Sequence, residues 1–300
     1  MQVVFYNPYL NRLKDLNDDL YLSMQGGVSV WSALAHLYLK QFNYKTLLLD
    51  YIPKDEAIII FHPRFTKFLK REKNLKNKIL VATLADARNK LNFVDYHIVQ
   101  NPYQVDNYSF FVPHFPQPKI LPRKKDKIEN ISFKGEKQNL DEYFYSNDFL
   151  KKIKALQLNF LIESNEKWRD YSNVDIILAI RGYDKNMWIK KPFTKVINAW
   201  IGKTPIIVGD NELAYKYLKK NKLDFIEVSN KYEVIEKIKY LINNPSFYED
   251  IVLNGIERSK EFSIDKIVKE WINIIEEIKN RGKRKSLKKE FLKLIKLRSF

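Results

Sequence analysis

Residues 190–208 place cations where a helix should repel them. Phe193, Val196, Ile197, Trp200 and Ile201 recur at helical spacing and form one apolar stripe, with Lys191, Lys195 and Asn198 on the opposite side. Pro192 suits a first helical turn, Gly202 a helix stop, and 205–208 a buried strand. The oddity is electrostatic. Lys190 and Lys191 sit at the end where the helix dipole is already positive, which costs roughly 0.3 kcal/mol or more each. A bound anion reverses that sign, because helix N-termini hold phosphates well. The chemistry indicated is recognition of a phosphate-bearing ligand. Arg181, directly after the predicted strand 175–180, is a second candidate. A side chain at the carboxyl end of a parallel strand points into the ligand crevice, and a guanidinium can pair with phosphate at two points.

Familiar phosphate and metal motifs are missing. Gly202-Lys203-Thr204 has Ile197 where a phosphate loop needs glycine, and it leaves a helix rather than entering one. No Gly-x-Gly-x-x-Gly occurs, so dinucleotide binding is not indicated. The histidines at 36, 62, 97 and 114 show no zinc spacing. There is no cysteine, hence no disulfide framework and no thiolate site, and no Asp-x-Asp clamp for a nucleotide-bound metal. The expected site is metal-free and neutralises phosphate with Lys, Arg and backbone N–H groups.

These residues need a scaffold, and the chain supplies two. Apolar β-branched runs at 2–6, 46–51, 57–61, 78–83, 96–99 and 110–112 alternate with helical patterns around Trp31–Phe42 and 65–75. Strands alternating with helices predict a parallel sheet with both faces covered. Proline and charge clusters at 114–118 and 122–127 read as a linker. A second series follows, with strands at 131–134, 159–163, 175–180, 205–208 and 225–228. Helices are predicted near 140–156, 192–201, 212–220, 232–243 and 247–262, then a long one from Ile264 to Ile278. The expected fold class is α/β, two Rossmann-like parallel-sheet domains facing a cleft. The expected boundaries are 1–118, 119–280 and a basic amphipathic tail, 281–300.

The formal charge of +17 over 300 residues raises nucleic acid as a partner, but +9 of it lies between Lys279 and Phe300. The aromatics follow core periodicity instead of alternating with Lys and Arg on a strand face, so nucleic acid is not expected. Residues 1–6 are too short and too soon polar for a signal peptide, and no apolar run approaches the ~18 residues needed to cross a bilayer. The expected location is cytoplasmic, peripheral at the inner face of a membrane. In the tail, Leu287, Phe291, Leu294 and Ile295 face one way and Lys285, Lys289, Lys293 and Lys296 the other. That makes an anionic membrane surface a candidate partner through residues 283–297.

Two α/β domains, a glycine pair after the first strand, and the Lys-Pro-x-x-Lys helix before Gly-x-x-Pro-Ile-Ile together resemble the GT-B class of glycosyltransferases. The resemblance covers nearly the whole chain. It implies a C-terminal domain that holds a nucleotide-sugar donor, such as a UDP- or GDP-sugar, and an N-terminal domain that holds a glycan or lipid-linked acceptor. The sugar donor would be a substrate, with no cofactor required. Gly26 and Gly27 resemble the glycine loop that faces the donor, where a backbone without Cβ can approach a sugar or phosphate. Gly135 and Lys137, with Lys134 beside them, resemble the first turn of the donor domain, where a glycine and a basic residue meet the diphosphate. Arg181 resembles the residue at the strand end lining the donor, and Lys191, Lys195 and Asn198 align with the donor-binding helix.

Many retaining members carry Glu-x7-Glu on that helix, and this chain has Lys190 and Asn198 in those places. The departure leaves the stereochemical outcome open, although an amide can still bond a ribose hydroxyl. Two strands of the first half, 58–61 ending in His62 and 81–85 ending in Asp86, resemble those bearing catalytic polar groups in relatives, with Ala85 replacing the histidine of a His-Asp pair. Asp86 is then the first candidate for general base and His62 the second, with His97 and His114 behind them. The alternative reading is a catalytically degenerate GT-B protein that binds a glycan or a partner.

Overall fold

The structure, a computed structural model, describes residues 1–10, 28, 30–85, 89–181 and 189–284, with backbone alone for 165 and 166. Contacts divide it into two units: 1–114 joined by the C-terminal segment from Ile264, and Phe115–Ser263. The strands are β1 (Gln2–Tyr6), β2 (Leu47–Leu49), β3 (Ala57–Phe61), β4 (Lys78–Thr83), β5 (Tyr96–Val99), β6 (Ser109–Phe111), β7 (Asn130–Lys134), β8 (Asn159–Glu163), β9 (Ile176–Ala179), β10 (Ile206–Gly209) and β11 (Ile226–Val228). The helices are α1 (Ala35–Gln41), α2 (Thr66–Leu69), α3 (Asn147–Ala155), α4 (Thr194–Ile201), α5 (Leu213–Leu218), α6 (Val234–Asn243), α7 (Pro245–Ser259) and α8 (Ile264–Arg281).

In the first unit six strands run parallel in the order β2-β1-β3-β4-β5-β6. Every residue of β3 and β4 is buried, as expected of strands covered on both faces. One face packs Val4, Tyr6, Ile59, Phe61, Leu80 and Ala82 into a single cluster. The fully buried Trp271 of α8 lies with its ring centroid 5.8 Å from Phe5 and 5.6 Å from Trp31. Helix α8 thus belongs to the first unit, whereas the sequence reading assigned it to a second domain of 119–280. The apolar stripe Ile267, Val268, Trp271, Ile274, Ile275 and Ile278 is as predicted, but periodicity does not say which sheet a stripe will cover. Gly282, at φ 68°, ends α8 in the left-handed region. The following residues are then held to this unit. The Lys283 amine donates to the Lys76 carbonyl, the Arg284 amide to Asp95 Oδ1, and the Arg284 guanidinium stacks 3.8 Å from the Tyr108 ring centroid.

The second unit has five parallel strands in the order β11-β10-β9-β7-β8. Its core joins Ile131, Phe133, Leu178, Ile180 and Ile207 to Ile238, Leu241 and Ile251. Predicted helix 140–156 is broken. Asp141 accepts from the Tyr143 amide at 3.0 Å and Ser146 from Phe149 at 3.3 Å, so a 3-10 turn, Glu142–Tyr145, precedes α3. Short polar side chains that bond the backbone ahead of them start turns and helices, and here they do so twice. Predicted helix 65–75 likewise shrinks to a 3-10 turn, Pro63–Phe65, and the single turn α2. Residues 122–127 do not hang free as a linker. Arg123 Nε donates to the buried Asp175 at 2.6 Å, and Asp175 also accepts the amides of Glu129 and Asn130 at 2.8 Å.

Gly202 does not end α4 by conformation. Its φ is −70°, and Lys203, at φ 55°, takes the left-handed position. Glycine is needed because a Cβ at 202 would lie 2.5 Å from the Tyr171 ring. Gly255 of α7 serves α4 similarly, since a Cβ there would meet the Trp200 ring at 2.6 Å.

Candidate functional site

In each sheet the first strand lies between the second and the third. At that position successive connections leave in opposite directions, and the carboxyl ends of the flanking strands open a crevice suited to ligands. In the second unit these strands are β7 and β9. Gly135 follows β7 directly, and Arg181 stands two residues beyond β9. Helix α4, which follows β9 in the chain, brings Lys195 to the same place. The Lys195 amine donates to the Lys134 carbonyl and sits 4.0 Å from the Phe133 ring centroid. A Cβ on residue 135 would lie 2.7 Å from that amine, so the glycine makes room for the cation. Burial, then the nearby charges of Arg181 and Lys191, hold the Lys195 amine well below the usual lysine range, against an opposing pull from Glu212.

Arg181 does not stand open to solvent. Its Nη1 donates to Glu212 Oε2, and the two residues are 6% and 2% exposed. Burial raises the Glu212 carboxyl above the ordinary carboxylate range, while Arg181, Lys195 and Lys191 oppose the shift. Burial and the Glu212 charge also keep the Tyr215 phenol protonated. The N-terminus of α4 has no side-chain cap, because Phe193 holds the capping position. The Thr194 hydroxyl beside it is buried with no hydrogen-bond partner among the described residues. The start of α4 thus leaves helix N–H groups without a side-chain cap, next to Lys195, whose charged neighbours are Arg181, Lys191 and Glu212.

Other expected site residues fall elsewhere. Asn198 is spent on structure, since its Oδ1 accepts the Gln117 amide at 3.0 Å and ties the crossover segment to α4. Lys134 is also spent. Its amine bonds Glu163 Oε2 at 2.5 Å and the carbonyls of Lys167 and Asp170, because Glu163 is its register partner on β8. Lys137 is exposed and lies 4.4 Å over the Tyr145 ring centroid. Gly26, Gly27 and Asp86 lie outside the described residues. His62 follows β3 at the switch position of the first sheet and acts as a cap. Its Nδ1 accepts the Arg64 amide at 3.1 Å and its Nε2 meets the Ala85 carbonyl at 3.1 Å, which assigns the ring proton to Nε2. The imidazoles of His36 and His97 are buried and pushed down to about 4. His114 packs edge-on against Trp31.

Sequence reasoning missed Glu212. It opens a short helix and reads as a solvated helix start, and its one signal is an acidic residue just past a buried parallel strand. Among the described residues no group of three or more His, Asp or Glu could hold a metal ion.

No family model matches the sequence, and comparison with curated proteins likewise gives no match. Solved structures do match in fold. TarM superposes with a TM-score of 0.53 at 14% identity over 80% of this chain and 57% of its own. Anabaena Alr3699/HepE in complex with UDP and glucose gives 0.54 at 9% identity over 85% and 84%. A glycosyltransferase from Rickettsia africae ESF-5 gives 0.51 at 12% identity over 93% and 90%. The chain spans about three-fifths of the length of TarM and of the GtfA/B chain. Its fold is the GT-B glycosyltransferase fold, built from two Rossmann-like parallel-sheet domains.

Proposed function

We propose that this protein is a glycosyltransferase that moves a sugar from a nucleotide-sugar donor to a hydroxyl of a glycan or lipid-linked acceptor, without a divalent metal. The observation that carries the reading is the convergence of Gly135, Arg181, Lys191, Lys195 and the uncapped start of α4 at the carboxyl edge of the second sheet. In the reaction, an acceptor oxygen bonds the anomeric carbon, the bond from that carbon to the diphosphate oxygen breaks, and negative charge builds on the departing diphosphate. Lys195, Lys191 and Arg181 stabilise that charge, which is usually the largest catalytic contribution in such a site. Gly26, Gly27 and Lys137 would complete the donor contacts. The acceptor proton goes to Asp86, the first candidate base. His62 can serve only after releasing one of its two backbone contacts.

The test is thermal stability with UDP, GDP, ADP, CMP and dTDP. A ligand at 100 times its Kd adds about 2.7 kcal/mol, so one of these should raise Tm clearly. Silence across the panel ends the reading. The rival reading, a degenerate transferase fold that only binds, is favoured by the engaged ring of His62 and by Asn198 serving as a clasp. Release of free nucleoside diphosphate from a nucleotide sugar separates the two.

No helix among the described residues is long and apolar enough to cross a membrane. Lys283 and Arg284 make contacts on the first unit, so membrane attachment through the tail falls to residues 285–297. Truncation after Arg284 should abolish liposome binding and leave turnover on a soluble acceptor intact.

A further inference from the structure

Glu212 carries more than a counter-charge for Arg181. Its Oε2 receives Arg181, but its Oε1 is buried and has no hydrogen-bond partner among the described residues. A buried carboxylate oxygen left unmet is costly and calls for a partner from outside the protein. The nearby cations do not fill the role. Arg181 bonds the other oxygen, and the Lys195 amine is turned to the Lys134 carbonyl. A phosphate cannot fill it either, because it repels a carboxylate and offers acceptors only. The missing partner is therefore a donor group held beside the anion.

We propose that Glu212 accepts a hydrogen bond from a hydroxyl on the group adjoining the bound diphosphate, and so distinguishes a hydroxyl-bearing donor from a bare diphosphate. This rests on the nucleotide-sugar reading above. In such a donor the diphosphate is flanked by two hydroxyl-rich rings, the ribose and the transferred sugar. Both present the same chemistry to Oε1.

The experiment is a ladder of four probes titrated into wild type and Glu212→Gln: pyrophosphate, 2′,3′-dideoxyuridine diphosphate, UDP and UDP-glucose. In wild type, either the step from dideoxy-UDP to UDP or the step from UDP to UDP-glucose should tighten binding about ten-fold or more. The step that does so identifies the ring. In Glu212→Gln that same step should shrink to about three-fold or less, while pyrophosphate binds at least as tightly, because Arg181 has lost a competing charge. If the step survives unchanged in the variant, or if neither hydroxyl-bearing group adds affinity in wild type, the proposal is wrong. Should the single variant fail to fold, Arg181→Met/Glu212→Met removes the pair together, and the ratio between steps is still read. If wild type binds neither pyrophosphate nor UDP, the functional reading fails as well. Pyrophosphate binding with no hydroxyl step overturns the role of Glu212 alone.

Discussion

Replacing Lys195 with methionine separates ligand binding from folding at one residue. The amine gives the apo fold one hydrogen bond to a neutral carbonyl, worth about 0.5–1.5 kcal/mol net. Against that stands its desolvation beside Arg181 and Lys191, the cause of its lowered proton affinity. Methionine keeps the stem packed on Phe133 and removes the crowded cation. The two effects nearly cancel, so stability should change by about 1 kcal/mol or less, which is about 2–4 °C in Tm for a unit of this size. Binding should respond differently. A charge-assisted bond to a phosphate oxygen contributes about 1.5–3 kcal/mol, so UDP or pyrophosphate should bind about ten- to 150-fold more weakly. Calorimetric titration and a thermal melt on the same preparation give both numbers. A Tm drop of about 10 °C with unchanged affinity would show that Lys195 is a packing residue and would remove the main support for the anion site.

Other expectations follow from the same geometry. Because burial and the neighbouring cations lower the proton affinity of the Lys195 amine and a bound phosphate would raise it again, UDP binding at mildly alkaline pH should take up protons. The apparent enthalpy should then differ between HEPES and Tris, and identical heats would contradict this. Arg181→Met leaves Glu212 buried and unpaired, so chemical denaturation should show a loss of about 3–5 kcal/mol, most of it recovered in Arg181→Met/Glu212→Met. Burial holds His36 and His97 down to about 4, assisted by Lys40 and by Lys90 respectively, with Arg284 adding to and Asp106 opposing the effect on His97. Below the unfolded value of 6.5 the unfolded chain takes protons that the native rings refuse. Stability should therefore fall as pH drops from 6.5 toward 4, by about 3 kcal/mol per ring, and urea melts of His97→Gln should show a shallower fall. Gly202→Ala drives a methyl into the Tyr171 ring and should cost about 1–3 kcal/mol in a urea melt.

Much of the architecture was legible because central parallel strands must be apolar on both faces. The runs 57–61 and 78–83 appear as β3 and β4 with the predicted bounds. The stripe 193–201 was legible for the same reason, as Val196, Ile197 and Trp200 are buried in α4. Charged residues were harder to place. Lys134 and Lys137 look equivalent as neighbours in the chain, yet one is locked to Glu163 and the other is exposed. Asn198 aligned with a ligand-binding helix but faces the Gln117 amide. Glu212 gave only the faint signal of an acidic residue just past a buried strand, since a carboxylate at the start of a short helix is ordinarily solvated.

Chain order and hydropathy dictated two α/β halves and their strand positions, because burial of apolar surface imposes a period that neighbours along the chain reveal. Folding in three dimensions settled which partners the cations take, and it gave α8 to the first unit. Those outcomes depend on pairings through space, such as Arg181 with Glu212 across 31 positions and Lys195 with the Lys134 carbonyl across 61. A charge has no period along the chain, so its partner is known only once the strands have been laid side by side.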